Sequence, residues 1–252
     1  MEMQSVDHLI AAVLEGDAAR AAELVQADPG LRTARNMFGV SALHAAHFAG
    51  RSELAATLVP NGVGIDGIDG VDVFLAAELG RLDDLDRALA ERPALARDYN
   101  PAGSTALHGA CYWGQVAAAR RLLGAGADPS AVTRDQFLRI SALGSAVATT
   151  PGVPQPSDDE DVVLALIRLL LEHGATVNAR RADGMTPLHG AAWRGLGRVA
   201  QELLDAGADR TITATSGPHA DQTPADTALA QGHLVLAARL DAGVPEVSGP
   251  YG

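Results

Sequence analysis

Small and apolar residues gather in short blocks of helical spacing, each closed by a glycine. LIAAVLEG, LHAAHFAG, FLAAELG, LHGACYWG, LHGAAWRG and ADTALAQG end at Gly16, Gly50, Gly80, Gly114, Gly195 and Gly232, separated by 34, 30, 34, 81 and 37 residues. A second apolar run follows most of them, as in LAATLV, AAARRLLGAGA, LIRLLLEHGA and VAQELLDAGA, where Gly suits a left-handed helix end. The 81-residue gap holds one further pair, ISALGSAVATT and VVLALIRLLLEHGA, pushed apart by an insertion. The pattern predicts seven helical hairpins. Each opens on a side chain able to cap a helix N-terminus: Asp7, Ser41, Asp72, Thr105, Ser141, Thr186 and Thr223.

A longer period overlies the first. Shifting the chain by 64 residues lays Gly16 on Gly80, Asn36 on Asn100, Ser41-Ala42-Leu43-His44 on Thr105-Ala106-Leu107-His108 and Gly50 on Gly114, as a duplicated pair of units would. One hairpin cannot cover its own apolar face, so neighbours must stack and only the end units can carry polar outer faces. Unit one, with Glu2, Glu15 and Asp17, and unit seven, with Asp226, fit that end position.

SALHAA, TALHGA, TPLHGAA and TPADTALAQGH resemble the T-P-L-H-x-A signature of ankyrin repeats, and LLGAGADP, LLEHGATVNA and LLDAGADR resemble the end of the second ankyrin helix. The resemblance covers residues from about Ser5 to Gly243. It implies an all-α ankyrin-repeat solenoid of about seven helix-turn-helix units with extended fingers. The chain would form a single domain over 1–252, with units near 5–36, 37–68, 69–100, 101–133, 134–179, 180–215 and 216–243 and a tail at 244–252. It also implies that the imidazoles of His44, His108 and His189 are struts, bonded to the capping hydroxyl and to finger backbone, and that finger tips and first helices form the ligand surface.

Composition narrows the functions available. The net charge is -12, all 19 cationic residues are Arg, and no basic run occurs, which argues against nucleic-acid or anionic membrane surfaces. VVLALIRLLL is too short and too interrupted to span a bilayer. The lone Cys111 excludes an internal disulfide, MEMQSVD lacks the features of a secretory signal, and a cytoplasmic location is expected. Arg-for-Lys and Ala-rich usage fits a GC-rich bacterial source. Without Lys there is no phosphate-binding G-x-x-x-x-G-K-[ST] loop, and no G-x-S-x-G or H-E-x-x-H occurs. The spacing suggests neither a metal site nor a cofactor. Cys111, at a small-residue position, reads as packing.

Three insertions depart from the period. TTPGVPQPSDDE (149–160) splits the helices of unit five, as a surface loop or a lid, and PSAVTRDQFLRI and TATSGPHADQ lengthen two fingers. His47 and His219 are the histidines with no ordinary slot. The last pair of each first helix is read as facing the groove: Phe48-Ala49, Glu78-Leu79, Tyr112-Trp113 and Trp193-Arg194 among them. Four of only nine aromatic residues fall in that stripe, with Arg194 as a cationic anchor. Packing of Trp113 and Trp193 beneath the long fingers is the alternative.

Two functions follow. The first is a protein-binding module, a monomer whose aromatic groove holds a protein or peptide partner, basic in view of the chain's acidity. The second uses the same groove, closed by the fingers and the 149–160 loop, to hold a small apolar molecule. Phe48, Glu78, Tyr112, Trp113, Trp193, Arg194, Arg134, Phe137 and Asp221 would line it. His219, Asp135 or His47 would supply acid/base assistance to a cyclisation, isomerisation or dehydration without a cofactor.

Overall fold

The computed structural model describes residues 2–32, 34–35, 41–49, 51, 54, 58, 73–100, 102–135, 139–148 and 158–242. Helices come in pairs: α1 (Glu2–Glu15) with α2 (Ala18–Ala27), α4 (Val73–Glu78) with α5 (Leu82–Glu91) and α6 (Ala106–Tyr112) with α7 (Val116–Gly124). They continue with α8 (Ala142–Ala146) and α9 (Glu160–Glu172), α10 (Pro187–Arg194) and α11 (Gly197–Asp205), and α12 (Pro224–Ala230) and α13 (Leu234–Ala242). A further helix, α3 (Ala42–Phe48), packs on α1. First helices form one layer, with α6 between α4 and α8 and α10 between α8 and α12; α7, between α5 and α9, and α9, against α11, form the other. This is the all-α repeat solenoid that the glycine period predicts, and the described residues contain no sheet.

The repeating side chains explain the layering. Leu107, Leu143 and Leu188 each follow the capping residue by two positions, and each is fully buried between neighbouring pairs. Burial of such a side chain is worth about 1.5–3 kcal/mol. Thr105, Ser141 and Thr223 accept the amide hydrogens of His108, Gly144 and Asp226 as caps. The cap expected at Asp7 is absent, because α1 runs through that position without a break. Asp72 lies outside the described residues. At Gly195 the chain takes φ +72°, and a Cβ there would stand 2.6 Å from the His233 ring, so the tight link between α10 and α11 requires glycine.

Two apolar clusters result. The larger runs from Val73 to Leu240. The smaller joins α1, α2 and α3 and takes in Trp113 from the far end of α6.

The fingers are laced in register. Arg35, Tyr99 and Val132 form isolated antiparallel bridges to Ser41, Thr105 and Ser141, which fold each finger onto the helix start it precedes. Tyr99 Oη then donates to Val132 O on the next finger at 3.2 Å, and Arg180 Nη2 donates to Thr213 O at 2.9 Å.

The C-terminal pair departs from expectation. A polar outer face is predicted for unit seven, yet Leu229, Leu234 and Val235 are exposed on α12 and α13, Val235 at 76%. Asp226 is occupied in capping α12 with Thr223.

Candidate functional site

The signature histidines have a structural role. His108 Nε2 lies 3.1 Å from both Ala131 O and Ile140 O, and Nδ1 lies 2.7 Å from Thr105 Oγ1. Carbonyls only accept, so Nε2 carries the hydrogen and Nδ1 accepts from the hydroxyl. His189 repeats the arrangement, with Thr186 Oγ1 at 2.9 Å and Gln222 O at 3.2 Å. Burial lowers the pKa of His108 to about 4, against the opposing pull of the Ile140 and Ala131 carbonyls, and burial likewise lowers that of His189. Each imidazole therefore ties a helix start to the following finger as a neutral ring. His44 is outside the described side chains. Cys111 is buried, and burial raises its thiol pKa, so it is a packed apolar group.

The groove-facing pair does not behave as a pair. Trp193 is 40% exposed, whereas Trp113 is 2% exposed and belongs to the N-terminal cluster, edge-on to Tyr112 with ring centroids 5.3 Å apart. The register accounts for it. Trp193 and Tyr112 stand seven residues after their caps, Thr186 and Thr105, while Trp113 and Arg194 stand eight after. Neighbouring residues on a helix diverge by about 100°, so the two positions meet different surroundings: at α10 Trp193 lines the cavity beside which Arg194 turns to α8, and at α6 Trp113 is enclosed by the N-terminal cluster with Tyr112 half-buried against it. Arg194 obeys the same rule. Its Nη1 turns to Val147 O and Ala148 O at 3.5 and 3.4 Å, and burial lowers its pKa against the pull of Asp158 and Glu160. It is a brace to α8, not a free cationic anchor. Glu78 is withdrawn as well, buried in an ion pair with Arg35 at 2.9 Å.

Around Trp193 lies a cavity of about 420 Å³. Val147 and Ala148 at the end of α8 form one side, and Met185 and Pro187 at the start of α10 another. Pro218 and His219, from the lengthened finger, lean over it. Gly144 and Gly190 line it too; a Cβ on Gly190 would meet Val147 Cγ2 at 2.4 Å, so glycine lets α8 and α10 approach. The polar lining is sparse, comprising the caps Ser141 and Thr186, the Arg181–Asp183 ion pair at 2.8 Å, and His219.

Of the residues expected to converge, Trp193 and His219 line this cavity. Arg134 instead stacks over Tyr99, its guanidinium carbon 3.6 Å from the ring centroid. Asp135 accepts from the Thr133 hydroxyl and the Arg139 amide within its own finger. Asp221 is an exposed turn residue at φ +62°. Of the alternative acid/base candidates, His219 lines the cavity and Asp135 is engaged within its own finger, while the side chains of His47 and Phe48, with Phe137 and residues 149–157, lie outside those described. At the end of the insertion Asp159 caps α9, and Arg198 binds Glu160 at 3.2 Å and Asp161 at 2.6 Å. Reading the sequence missed Met185, Pro187, Val147 and the Arg181–Asp183 pair; the glycines at 144 and 190, both in first helices, were the available signal. Among the described residues no group of His, Cys, Asp and Glu could hold a metal ion, and no helix is long and apolar enough to cross a membrane.

Comparison with known proteins agrees with this geometry. A family model described as ankyrin repeats (3 copies) matches residues 9–133, and one described as ankyrin repeats (many copies) matches 163–204. The mouse B-cell lymphoma 3 protein homolog is 39% identical over 110 residues, a stretch that covers 44% of this chain and 21% of that protein. This chain thus matches about a fifth of the length of its curated relative.

Proposed function

Because the chain belongs to the ankyrin-repeat family, whose members bind protein partners as a rule, we propose that it is a cytosolic, monomeric recognition module that grips a protein or peptide through the finger side of α8, α10 and α12. One observation carries the reading: an indole 40% exposed at the lip of an apolar cavity, in a chain with only two tryptophans. Large rings at the centre of a surface are the side chains that dominate interface energies, and their exposure is unfavourable until something covers them. The chain's charge of -12 would hasten encounter with a basic partner.

The test is affinity capture with the full chain and with Trp193→Ala from an extract of the source cell. Proteins retained by the former and lost by the latter support the reading. Identical sets of captured proteins, or none, exclude it.

A second reading is favoured by the cavity volume, which falls in the range of small-molecule sites, about 300–1,000 Å³. On it, the groove holds a small, mostly apolar molecule. Acid/base chemistry has weaker support, because the cavity's one carboxylate, Asp183, is held by Arg181 and by the Met185 amide at 3.1 Å.

A further inference from the structure

Resting on that second reading, we propose that the cavity beside Trp193 binds a neutral, flat, apolar molecule bearing one hydroxyl or N–H donor, and that His219 Nε2 receives that hydrogen. The assignment comes from following the side-chain acceptors of the lining to their partners. Ser141 Oγ accepts from Gly144 N at 3.2 Å, and Thr186 Oγ1 is held by His189 Nδ1 at 2.9 Å. Asp183 accepts from Arg181 Nη2 at 2.8 Å and from Met185 N at 3.1 Å, using both oxygens. Arg181 Nε is buried without a partner, but it is a donor and does not compete for the occupant's hydrogen.

His219 differs from all of these. His219 lines the cavity, and its Nδ1 stands 3.0 Å from Gln222 Oε1. A side-chain carbonyl oxygen only accepts, so Nδ1 carries the hydrogen and Nε2 keeps its lone pair. Nε2 is the acceptor left for an occupant. Arg181 and Asp183 cancel each other's charge, so a charged ligand would be desolvated here without a counter-ion, which selects against anions and cations alike. The exposed Trp193 face, Met185, Pro187 and Pro218 offer a planar or compact apolar body its contact surface.

Binding of three probes to the full chain, measured by calorimetry and ligand-observed NMR, tests this. Indole has the required donor, benzofuran is its donor-free isostere, and indole-3-carboxylate adds a charge. Indole should bind about five- to tenfold more tightly than benzofuran, the worth of one hydrogen bond, and the carboxylate more weakly than indole. In His219→Leu the difference between indole and benzofuran should vanish; in Gln222→Leu, which releases the ring, it should shrink; in Trp193→Ala all binding should fall. Equal binding of indole and benzofuran to the natural chain overturns the donor rule while leaving the cavity as a ligand site. Preference for the carboxylate overturns the neutral class. If no probe binds, this inference and the small-molecule reading fall together, and the protein-partner reading is untouched. The first comparison needs no variant, so misfolding of a substituted chain cannot obscure it.

Discussion

The ends of α6 and α10 are built on one template and serve opposite purposes. Both helices start at a threonine cap braced by a histidine, both carry Leu-His-Gly-Ala, and both have a tryptophan close to the closing glycine, Trp113 directly before Gly114 and Trp193 two residues before Gly195. At α6 the indole stands eight residues past the cap and is enclosed with the side chains of α1, α2 and α3 in the smaller apolar cluster. At α10 it stands seven past the cap and faces the cavity, while Arg194 takes the eighth place and braces α8 through its last carbonyls. A shift of one residue thus decides between a core ring and a surface ring, because helical neighbours point about 100° apart.

The sharpest break of that comparison is alanine at each indole. Trp113→Ala should destabilise the fold by about 3–5 kcal/mol through the void it leaves, whereas Trp193→Ala should cost under about 1 kcal/mol. Urea unfolding of both variants checks it, and similar losses for the two would show that the register argument is wrong.

A second contrast sets the strut histidine beside the cavity histidine. The unfolded chain protonates His108 near its ordinary 6.5 while the folded chain does so only near 4. Between those values the unfolded state binds more protons, so stability is lost as pH falls through this window and is fully present above it. This single residue accounts for up to about 3 kcal/mol. The stability advantage of the natural chain over His108→Gln should therefore narrow from pH 7 to pH 4; a constant gap would remove the buried, neutral strut.

The smallest effect concerns the eighth place itself. Arg194→Met keeps the aliphatic stem but drops two long contacts, and should lower stability by about 0.5–1 kcal/mol with indole binding unchanged. Loss of probe binding in this variant, at unaltered stability, would restore Arg194 to the groove.

Much of this was legible without coordinates. Leu107, Leu143 and Leu188 are buried, and His108 and His189 act as struts, because each obligation is met within its own repeat and the one beside it. The groove was legible only in part. Trp193 and His219 were visible as a large ring and an unplaced imidazole, but Arg134, Asp135 and Asp221 were grouped with them through shared finger positions alone. Each instead finds its setting locally, on Tyr99, on Thr133 or at a left-handed turn.

The sequence by itself determined the helix pairs, their capped starts and the direction of stacking, since these follow from local spacing and from apolar faces that one hairpin cannot cover. Tertiary structure alone decided that Arg194 would be used on carbonyls and that one imidazole nitrogen at position 219 would be left without a partner. Those outcomes depend on the distance and angle between adjoining repeats, here set by Gly190 against Val147, and a one-dimensional pattern carries no record of that separation.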